Sequence, residues 1–305
     1  MSQILDTGIK NAKNVLRYIF GPGSLDTLNS ILMAQTKTTS DYAVYYVDKF
    51  FLGQSHLIER LPNTALDDLH FIDTSNEPTT DDVNALCDEI TKKKKGIPYA
   101  IIGIGGGSTM DIAKAVSNLL TNGGRAEDYQ GWDLVKSPGV FKIGVPTISG
   151  TGAEATRTCV MTNLKSGLKL GMNSDFTVFD QLILDPDLSR TVPENQYFYT
   201  GMDAYIHCME SLAGSFRNSI GDAFSEQALD LCRQVFMKPD MKSDRNRAKL
   251  MVASYMGGCA VATSYVGVLH PFSAGLSVVL GIQHGLANCI SMTAMEEFYP
   301  QQVKE

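Results

Sequence analysis

The sequence lacks any long apolar run. No stretch of its 305 residues approaches the roughly 18 consecutive apolar residues that a membrane-spanning helix requires. Residues 1–14 carry polar residues throughout the segment and lack the apolar stretch that a secretory signal requires. We therefore expect a cytoplasmic protein that has no membrane partner.

Cysteine and basic residues are also few. The six cysteines are scattered and form no CxxC pair, which favours reduced, mostly buried thiols over a disulfide framework or a redox motif. The 26 Lys and Arg are outnumbered by 33 Asp and Glu, and the net charge of -7 argues against a nucleic-acid partner, because phosphate binding needs clustered cations. The remaining composition, 44% hydrophobic and 19% charged, is that of an ordinary globular protein.

The first part of the chain alternates β-rich runs with a helical pattern. We predict strands at residues 42–47, 69–72 and 99–104, and a helix at 80–93 that Thr79 or Thr80 caps. The strand at 99–104 has almost no polar residue, which is typical of the middle of a covered parallel sheet. This part of the sequence predicts an α/β domain.

The pattern changes after about Pro193. Apolar residues then recur at spacings of three and four, and strand signals vanish. The stretches with this helical spacing are 196–214, 219–237, 243–264 and 270–298. We predict a boundary near Leu184-Asp185-Pro186, between an α/β domain at residues 1–186 and an all-α domain at residues 187–305.

A glycine-rich loop follows the apolar strand. Gly105, Gly106, Gly107 and Ser108 lead directly into a predicted helix at 109–120. Free backbone N–H groups and the positive end of a helix dipole form an anion site there, and glycine lets phosphates approach closely. A tight turn without a ligand is the alternative for this stretch alone.

Two further segments favour a dinucleotide. Asp48 ends the strand at 42–47, where a carboxylate would accept hydrogen bonds from a ribose diol and repel a 2′-phosphate, so we expect NAD(H) rather than NADP(H). Thr147, Ser149 and Thr151 follow a strand at 142–145 and suit a pyrophosphate or a nicotinamide ribose. A turn aspartate and an ordinary strand-to-helix turn are the respective alternatives.

The helical part contains a candidate metal site. Asp203 and His207 are four residues apart, which places a carboxylate and an imidazole on one face of a helix. The chain has only five histidines, and three of them, His207, His270 and His284, lie in this part. One carboxylate and three imidazoles suit Fe2+ or Zn2+. The alternative is a set of structural histidines.

The sequence resembles the iron-containing (group III) alcohol dehydrogenase family along nearly the whole chain. The spacings of four, sixty-three and fourteen residues between Asp203, His207, His270 and His284 match those of the family's metal ligands. The other matching motifs are Phe20-Gly21-Pro22-Gly23-Ser24-Leu25, Gly105-Gly106-Gly107-Ser108 with Asp111, Ala113 and Lys114, Thr147 to Thr156, and Leu184-Asp185-Pro186.

The resemblance implies a dehydroquinate synthase-like fold, with a dinucleotide-binding domain followed by a helical metal-binding domain. It implies that the four metal ligands are also the catalytic set, and that NAD(H) and Fe2+ or Zn2+ are the cofactors. We assign Lys169 to the cofactor ribose or the substrate, with a plain surface lysine as the alternative. The cofactor-binding set is then Asp48, Gly105, Gly106, Gly107, Ser108, Asp111, Thr147, Ser149, Thr151 and Lys169.

Three stretches are similar to the branch of the family that contains 3-deoxy-D-manno-octulosonate (Kdo) 8-oxidase. They are Asp128-Tyr129-Gln130-Gly131-Trp132, Lys169-Leu170-Gly171-Met172-Asn173 and His270-Pro271-Phe272-Ser273-Ala274-Gly275. The similarity implies oxidation of the C8 primary alcohol of this lipopolysaccharide sugar acid to an aldehyde. A downstream aminotransferase would then be a functional partner, and we expect a homo-oligomer.

The sequence departs from the family in two ways. Many members have a histidine four residues after the third ligand, often assigned to proton transfer, where this chain has Ala274. Members also normally continue for several helices, so we expect a truncated C-terminal domain. The alternatives are a general alcohol or polyol dehydrogenase resembling glycerol dehydrogenase, and a non-catalytic nucleotide-binding subunit that supports a partner enzyme.

Overall fold

The computed structural model describes residues 12–93 and 95–300 and divides the chain into two compact units. The α/β unit consists of Val15–Thr147 and Arg157–Leu188, and the helical unit consists of Ile148–Thr156 and the chain from Ser189 on. The predicted domain at 1–186 includes the segment 148–156, which the structure groups with the helices. Residues 1–11, which carry most of the signal-peptide argument, lie outside the described residues.

Two sheets form the centre of the α/β unit. Its strands are β1 (Arg17–Phe20), β2 (Ala43–Asp48), β3 (Asp68–Ile72), β4 (Ala100–Gly105), β5 (Gly131–Trp132), β6 (Phe141–Pro146), β7 (Thr158–Asn163), β8 (Leu168–Asn173) and β9 (Gln181–Leu184). Six of them form one parallel sheet in the order β1-β9-β6-β4-β2-β3. The other three form a small sheet in the order β5-β8-β7.

Strand β4 lies inside the six-stranded sheet, between β6 and β2, as its apolar sequence predicts. All six of its residues are buried. Tyr45, Val47, Ile102, Ile104 and Val145 belong to one hydrophobic core beside the sheet. Because all strands of this sheet are parallel, β2, β4 and β6 end at the same edge, where Asp48, Gly105 and Pro146 lie side by side.

Four helices accompany these strands: α1 (Leu28–Met33), α2 (Ser55–Ile58), α3 (Thr80–Lys92) and α4 (Gly107–Asn122). Helix α3 begins with a capping box, in which the Thr79 hydroxyl accepts a hydrogen bond from the Asp82 N–H and the Asp82 carboxylate accepts one from the Thr79 N–H. Helix α4 begins two residues earlier than predicted, because Gly107 and Ser108 already belong to its first turn.

The helical unit contains α5 (Glu194–Ala213), α6 (Ser219–Phe236), α7 (Asp244–Ser264), α8 (Leu269–Leu280), α9 (His284–Met292) and α10 (Met295–Phe298). Its core includes Tyr197, Ile206, Leu229 and Leu250. The stretch with helical spacing at 270–298 is divided into α8, α9 and α10, and α8 ends where Gly281 adopts a left-handed φ of 65°. An α/β domain followed by helices confirms the predicted fold class.

Within the described residues, no single helix is long and apolar enough to cross a membrane. Helices α7 and α8 pass such a test of length and composition only as a pair, and that pair is bent by 108°.

Candidate functional site

Helix α5 presents a line of polar side chains in the interior of the helical unit. Asp203, His207 and Glu210 follow one another at spacings of four and three, so they lie on one face of the helix. Asp203 is 1% exposed, His207 is 5% exposed and Glu210 is fully buried. Buried groups of this kind are costly unless they bind each other or a ligand, so the face is built for polar contacts.

Two further histidines reach this face from α8 and α9. His270 is the second residue of α8, and its Nε2 lies 3.2 Å from Oδ1 of Asp203. His284 is the first residue of α9, and its Nε2 lies 3.9 Å from Oδ2 of Asp203. Nε2 of His207 is 3.7 Å from Oδ1 of the same carboxylate. All four residues of the predicted metal set therefore meet around Asp203.

Three of the four have the closest arrangement of donor atoms. One donor each from Asp203, His270 and His284 can be chosen so that all three atoms lie within 4.8 Å of one another. His207 is not in this trio, and its ring instead stacks on that of His270, with the ring centroids 4.5 Å apart and the planes at 13°. Asp203, His270 and His284 form a group that could hold one metal ion.

Two residues of this site were missed in the sequence. Asn288 donates a hydrogen bond from Nδ2 to Oδ1 of Asp203 at 2.6 Å, and the same nitrogen lies 3.1 Å from Nε2 of His284. Glu210 accepts a hydrogen bond from Nδ1 of His270. The signal that could have found them is helical spacing, because Asn288 comes four residues after His284 and Glu210 three residues after His207.

The neighbours of each ionisable group set its charge. Burial alone would raise the pKa of Asp203, but the imidazoles of His207, His284 and His270 hold it well below its ordinary value. Burial lowers the pKa of His207 to about 4. Burial also acts to lower the pKa of His270, yet its bonds to Asp203 and Glu210 raise that pKa to about 9. The carboxylate at the centre is thus ionised, as a metal ligand must be.

The donor set fits a divalent cation. One ionised carboxylate and imidazole nitrogens are ligands that Fe2+ and Zn2+ accept. In addition, Nδ1 of His207 is buried without a hydrogen-bond partner among residues 12–93 and 95–300. The ionised carboxylate of Asp203 and the nearby imidazoles of His270 and His284 could therefore hold such an ion.

The glycine loop forms the start of α4. Gly106 is the N-cap residue, and no side chain caps the helix, so its first backbone N–H groups are left for a ligand. A Cβ on Gly105 would lie 2.5 Å from Oγ1 of Thr109, so only glycine fits there. The Thr109 hydroxyl is fully buried and has no hydrogen-bond partner in the part of the chain that the structure describes. Uncapped N–H groups and a buried hydroxyl suit an anion such as a phosphate.

Asp48 and Thr147 lie beside this loop. A Cβ on Gly105 would be 3.1 Å from Cβ of Asp48, and the Thr147 N–H donates to the Gly105 carbonyl at 3.0 Å. The Asp48 carboxylate accepts from the Phe50 N–H at 2.9 Å and from the Thr74 hydroxyl at 3.2 Å, while burial raises its pKa. The turn-aspartate alternative describes part of its role, since Asp48 also caps residues 49–51.

Asp111 and Lys169 have partners within the α/β unit. The Asp111 carboxylate accepts from the Val160 N–H at 2.9 Å, and burial raises its pKa to about 6. Lys169 pairs with Glu77 at 2.6 Å, and only 9% of its side chain is exposed. Lys169 is thus ion-paired and largely covered, and its assignment to the cofactor or the substrate stays a prediction.

The remaining predicted cofactor residues belong to the helical unit. The Thr151 hydroxyl accepts from the Ala153 N–H at 3.3 Å, and the buried Ser149 hydroxyl has no partner among the described residues. The segment is held to α7 through Ser254, whose hydroxyl accepts from the Gly150 N–H at 2.7 Å and donates to Glu154 at 2.6 Å. The predicted cofactor set is thus distributed over both units.

Comparisons with known proteins point to one family. The family model described as iron-containing alcohol dehydrogenase matches residues 16–186, and the model for the C-terminal part of that family matches residues 197–305. The chain is 37% identical over 69% of its length to sulfoacetaldehyde reductase from Bilophila wadsworthia, covering 54% of that protein. It is 33% identical over 63% of its length to the NAD-dependent methanol dehydrogenase of Bacillus methanolicus, covering 51% of that protein.

The chain therefore spans about half the length of these curated relatives. Its fold is similar to that of sulfoacetaldehyde reductase from Bifidobacterium kashiwanohense, solved in complex with NAD+, with a TM-score of 0.82 and 24% identity. That alignment covers 94% of this chain and 76% of the solved one. The parallel α/β region followed by helices is thus the architecture of known members.

Proposed function

Because the chain belongs to the iron-containing alcohol dehydrogenase family, we propose that it takes part in a metal-dependent, nicotinamide-linked interconversion of an alcohol and an aldehyde. The observation that carries the proposal is the buried Asp203 carboxylate with three imidazoles gathered around it. A structural histidine cluster has no need for a central ionised acid, whereas a cation site does.

Asp203, His207, His270 and His284 would hold the cation, Fe2+ or Zn2+. When bound, such an ion supplies Lewis-acid stabilisation of negative charge on a substrate oxygen. Asp203 contributes the negative charge that offsets the cation, and Asn288 orients Oδ1 by a 2.6 Å hydrogen bond. The unit that carries these residues excludes water from them, since Asp203, His207 and His270 are all buried.

NAD(H) would be held in the α/β unit, and it would supply the hydride acceptor. The uncapped start of α4 and the Thr109 hydroxyl would bind its pyrophosphate, and Asp48 would accept hydrogen bonds from a ribose diol. Thr147 of the same unit would orient the cofactor further, and Ser149 and Thr151 stay in the proposed cofactor set on the sequence alone. Lys169, held by Glu77, would contact its ribose or the substrate. Among the relatives, one is named as NAD-dependent and a similar structure is an NAD+ complex, which supports this cofactor.

Proton release must use a different group from the usual one. Ala274 lies one helical turn after His270 on α8 and carries no titratable atom. The proton therefore leaves through water, the ribose hydroxyls or another side chain.

For the substrate we propose the C8 primary alcohol of Kdo, on the three stretches that resemble the Kdo 8-oxidase branch. The names of the relatives favour a second candidate, a small alcohol or aldehyde such as methanol, 1-propanol or sulfoacetaldehyde. Both candidates present one terminal hydroxyl or carbonyl group to the same chemistry. An aminotransferase partner follows only from the first, and a homo-oligomer is proposed for either.

A substrate panel separates the candidates. The protein loaded with Fe2+ or Zn2+ would be incubated with NAD+ and either Kdo, methanol, 1-propanol or glycerol, and with NADH and sulfoacetaldehyde, while NADH absorbance is followed. Aldehyde formation from Kdo supports the sugar-acid proposal, and turnover restricted to small alcohols or to glycerol replaces it. Nucleotide binding without any turnover would instead indicate a binding subunit.

A variant tests the metal site directly. His270→Ala should lose both bound metal and activity, since it removes a ligand from the centre, while the circular dichroism spectrum stays that of the folded protein. His56→Ala is the matched control, because His56 is exposed in α2 and should keep metal and activity. Full activity of a metal-free His270→Ala protein would contradict the proposal.

A further inference from the structure

Glu210 is a fully buried carboxylate to which the proposed chemistry assigns no role. It lies on α5, seven residues after Asp203, and each of its oxygens has a separate set of partners. Oε2 accepts a hydrogen bond from Nδ1 of His270. Oε1 accepts from the Leu269 N–H and from the Tyr299 hydroxyl, the latter at 3.2 Å. We propose that Glu210 is a positioning residue that prepares His270 to bind the cation, an inference that rests on the proposed metal function.

Glu210 influences which nitrogen of His270 carries the proton. A neutral imidazole carries one N–H and one lone pair, and the partner of one nitrogen decides which is which. Because Nδ1 faces a carboxylate, it keeps its proton, and this N–H donates a hydrogen bond to Oε2 of Glu210. Nε2, which is hydrogen-bonded to Oδ1 of Asp203 at 3.2 Å, is then the nitrogen that would release its proton and offer a lone pair to the cation. Glu210 thus selects the tautomer that a ligand must have and makes its lone pair more basic.

Glu210 also holds the backbone at the start of α8, the helix that carries His270. The N-cap of α8 is Val268, whose side chain cannot cap a helix, and Glu210 supplies the missing acceptor to the Leu269 N–H. A Cβ on Gly267 would lie 2.9 Å from Oε1, so glycine allows the carboxylate to approach this turn. One side chain therefore holds both the ring of His270 and the start of its helix.

Among the described residues, His207 has no carboxylate that accepts a hydrogen bond from its Nδ1, and it offers a comparison with His270. Its Nδ1 is buried and has no hydrogen-bond partner among residues 12–93 and 95–300, and its ring is held by stacking on His270. His207 also lies outside the trio of closely spaced donor atoms. The histidine that Glu210 orients belongs to that trio.

Glu210→Gln tests the proposal, since it keeps the shape of the side chain and removes its charge. We expect the dissociation constant for Zn2+, measured by competition with a chromogenic chelator, to rise by about 10- to 100-fold. The unfolding temperature of the metal-free variant should stay close to that of the metal-free wild type. Loss of folding would move both quantities, whereas a positioning role moves the metal affinity.

Tyr299→Phe is the matched control. It removes the hydroxyl that donates to Oε1 and leaves the Oε2–His270 bond in place. We expect its Zn2+ affinity to stay near that of the wild type. Equal losses of affinity in Glu210→Gln and Tyr299→Phe, or no loss in Glu210→Gln, would overturn the proposal.

The tautomer of His270 can also be measured in the wild-type protein. With only five histidines in the chain, nitrogen-15 NMR of the Zn2+-loaded, histidine-labelled protein can identify the tautomer of His270. We expect a proton on Nδ1 and the metal on Nε2. A proton on Nε2 would overturn the role of Glu210 while leaving the metal site intact. A wild-type protein that binds no Zn2+ would instead overturn the proposed function, and this inference with it.

Discussion

The rings of His207 and His270 stack on each other, yet their environments shift their pKa values in opposite directions. The pKa of His207 falls to about 4, because burial and the neighbouring His270 penalise its charged form. Asp203 and Glu210, to which His207 makes no close hydrogen bond, favour that charged form less. The pKa of His270 rises to about 9, because it lies between Asp203 and Glu210 and two carboxylates outweigh the effect of burial. A cation that binds here must displace the second proton of His270, so its affinity depends on pH.

Asp48 should determine the choice between the two dinucleotides. Asp48→Ser removes a carboxylate that would repel a 2′-phosphate, and we expect the ratio of NADP+ to NAD+ affinity, measured by calorimetry, to rise about tenfold or more. Thr74→Val is the control, because it removes the hydroxyl that donates to Asp48 and keeps the charge. An unchanged ratio in Asp48→Ser would count against the assignment of the ribose site.

Asp111 should make the stability of the fold depend on pH. Burial raises its pKa in the folded protein from 3.8 to about 6, so the folded state binds the proton more tightly than the unfolded state does. The stabilisation is complete below pH about 3.8 and is lost as pH rises through about 6, for a total of at most about 3 kcal/mol.

Asp111→Asn has no such titration. Its free energy of unfolding minus that of the wild type should therefore increase between pH about 4 and about 7, as urea titrations at each pH would measure. Parallel pH profiles of the two proteins would show that Asp111 keeps an ordinary pKa in the folded state.

At the scale of elements, local signals were sufficient where one chemical pattern dominates. The expected cap at Thr79 or Thr80 and the apolar run of β4 predicted their elements to within two residues. Strands β7 and β8 were missed, because lysine, glycine, asparagine and threonine dilute their alternation and their pairing with each other stabilises them. The break between α8 and α9 was missed because one glycine, Gly281, interrupts an otherwise continuous apolar pattern.

The packing of α7 against the segment 148–156 depends on two glycines. A Cβ on Gly258 would lie 2.5 Å from the Gly152 carbonyl oxygen and 2.9 Å from Cβ of Ala155. We expect Gly258→Ala to lower the free energy of unfolding by about 1–3 kcal/mol, because the backbones must separate.

Gly275→Ala on α8 provides the matched comparison for this prediction. Nothing lies within 4 Å of a Cβ at that position, so the same substitution should stabilise the helix by about 0.5–1 kcal/mol. Urea unfolding of both variants gives the two values. The same sign for both would show that the close approach of α7 has no energetic weight.

At the scale of the whole molecule, the four residues that we propose as metal ligands were singled out in the sequence because histidine is scarce and their spacing resembles that of a known family. The helical unit then brings Asp203, His270 and His284 together from the three separate helices α5, α8 and α9. Glu210 and Asn288 could not be chosen in the same way. Glutamate and asparagine are common on helices, so their helical spacing from His207 and His284 is a weak signal, and the packing of α5 against α8 and α9 shows which atoms they contact.

We propose that four side chains bind one divalent cation. Anomalous X-ray diffraction tests this proposal most directly. Crystals of the protein grown with Zn2+ or Fe2+ would be measured at the absorption edge of the metal. We predict one strong peak per chain about 2.0–2.2 Å from the donor atoms of Asp203, His207, His270 and His284. The absence of a peak there, or a peak that these residues do not contact, would contradict the account.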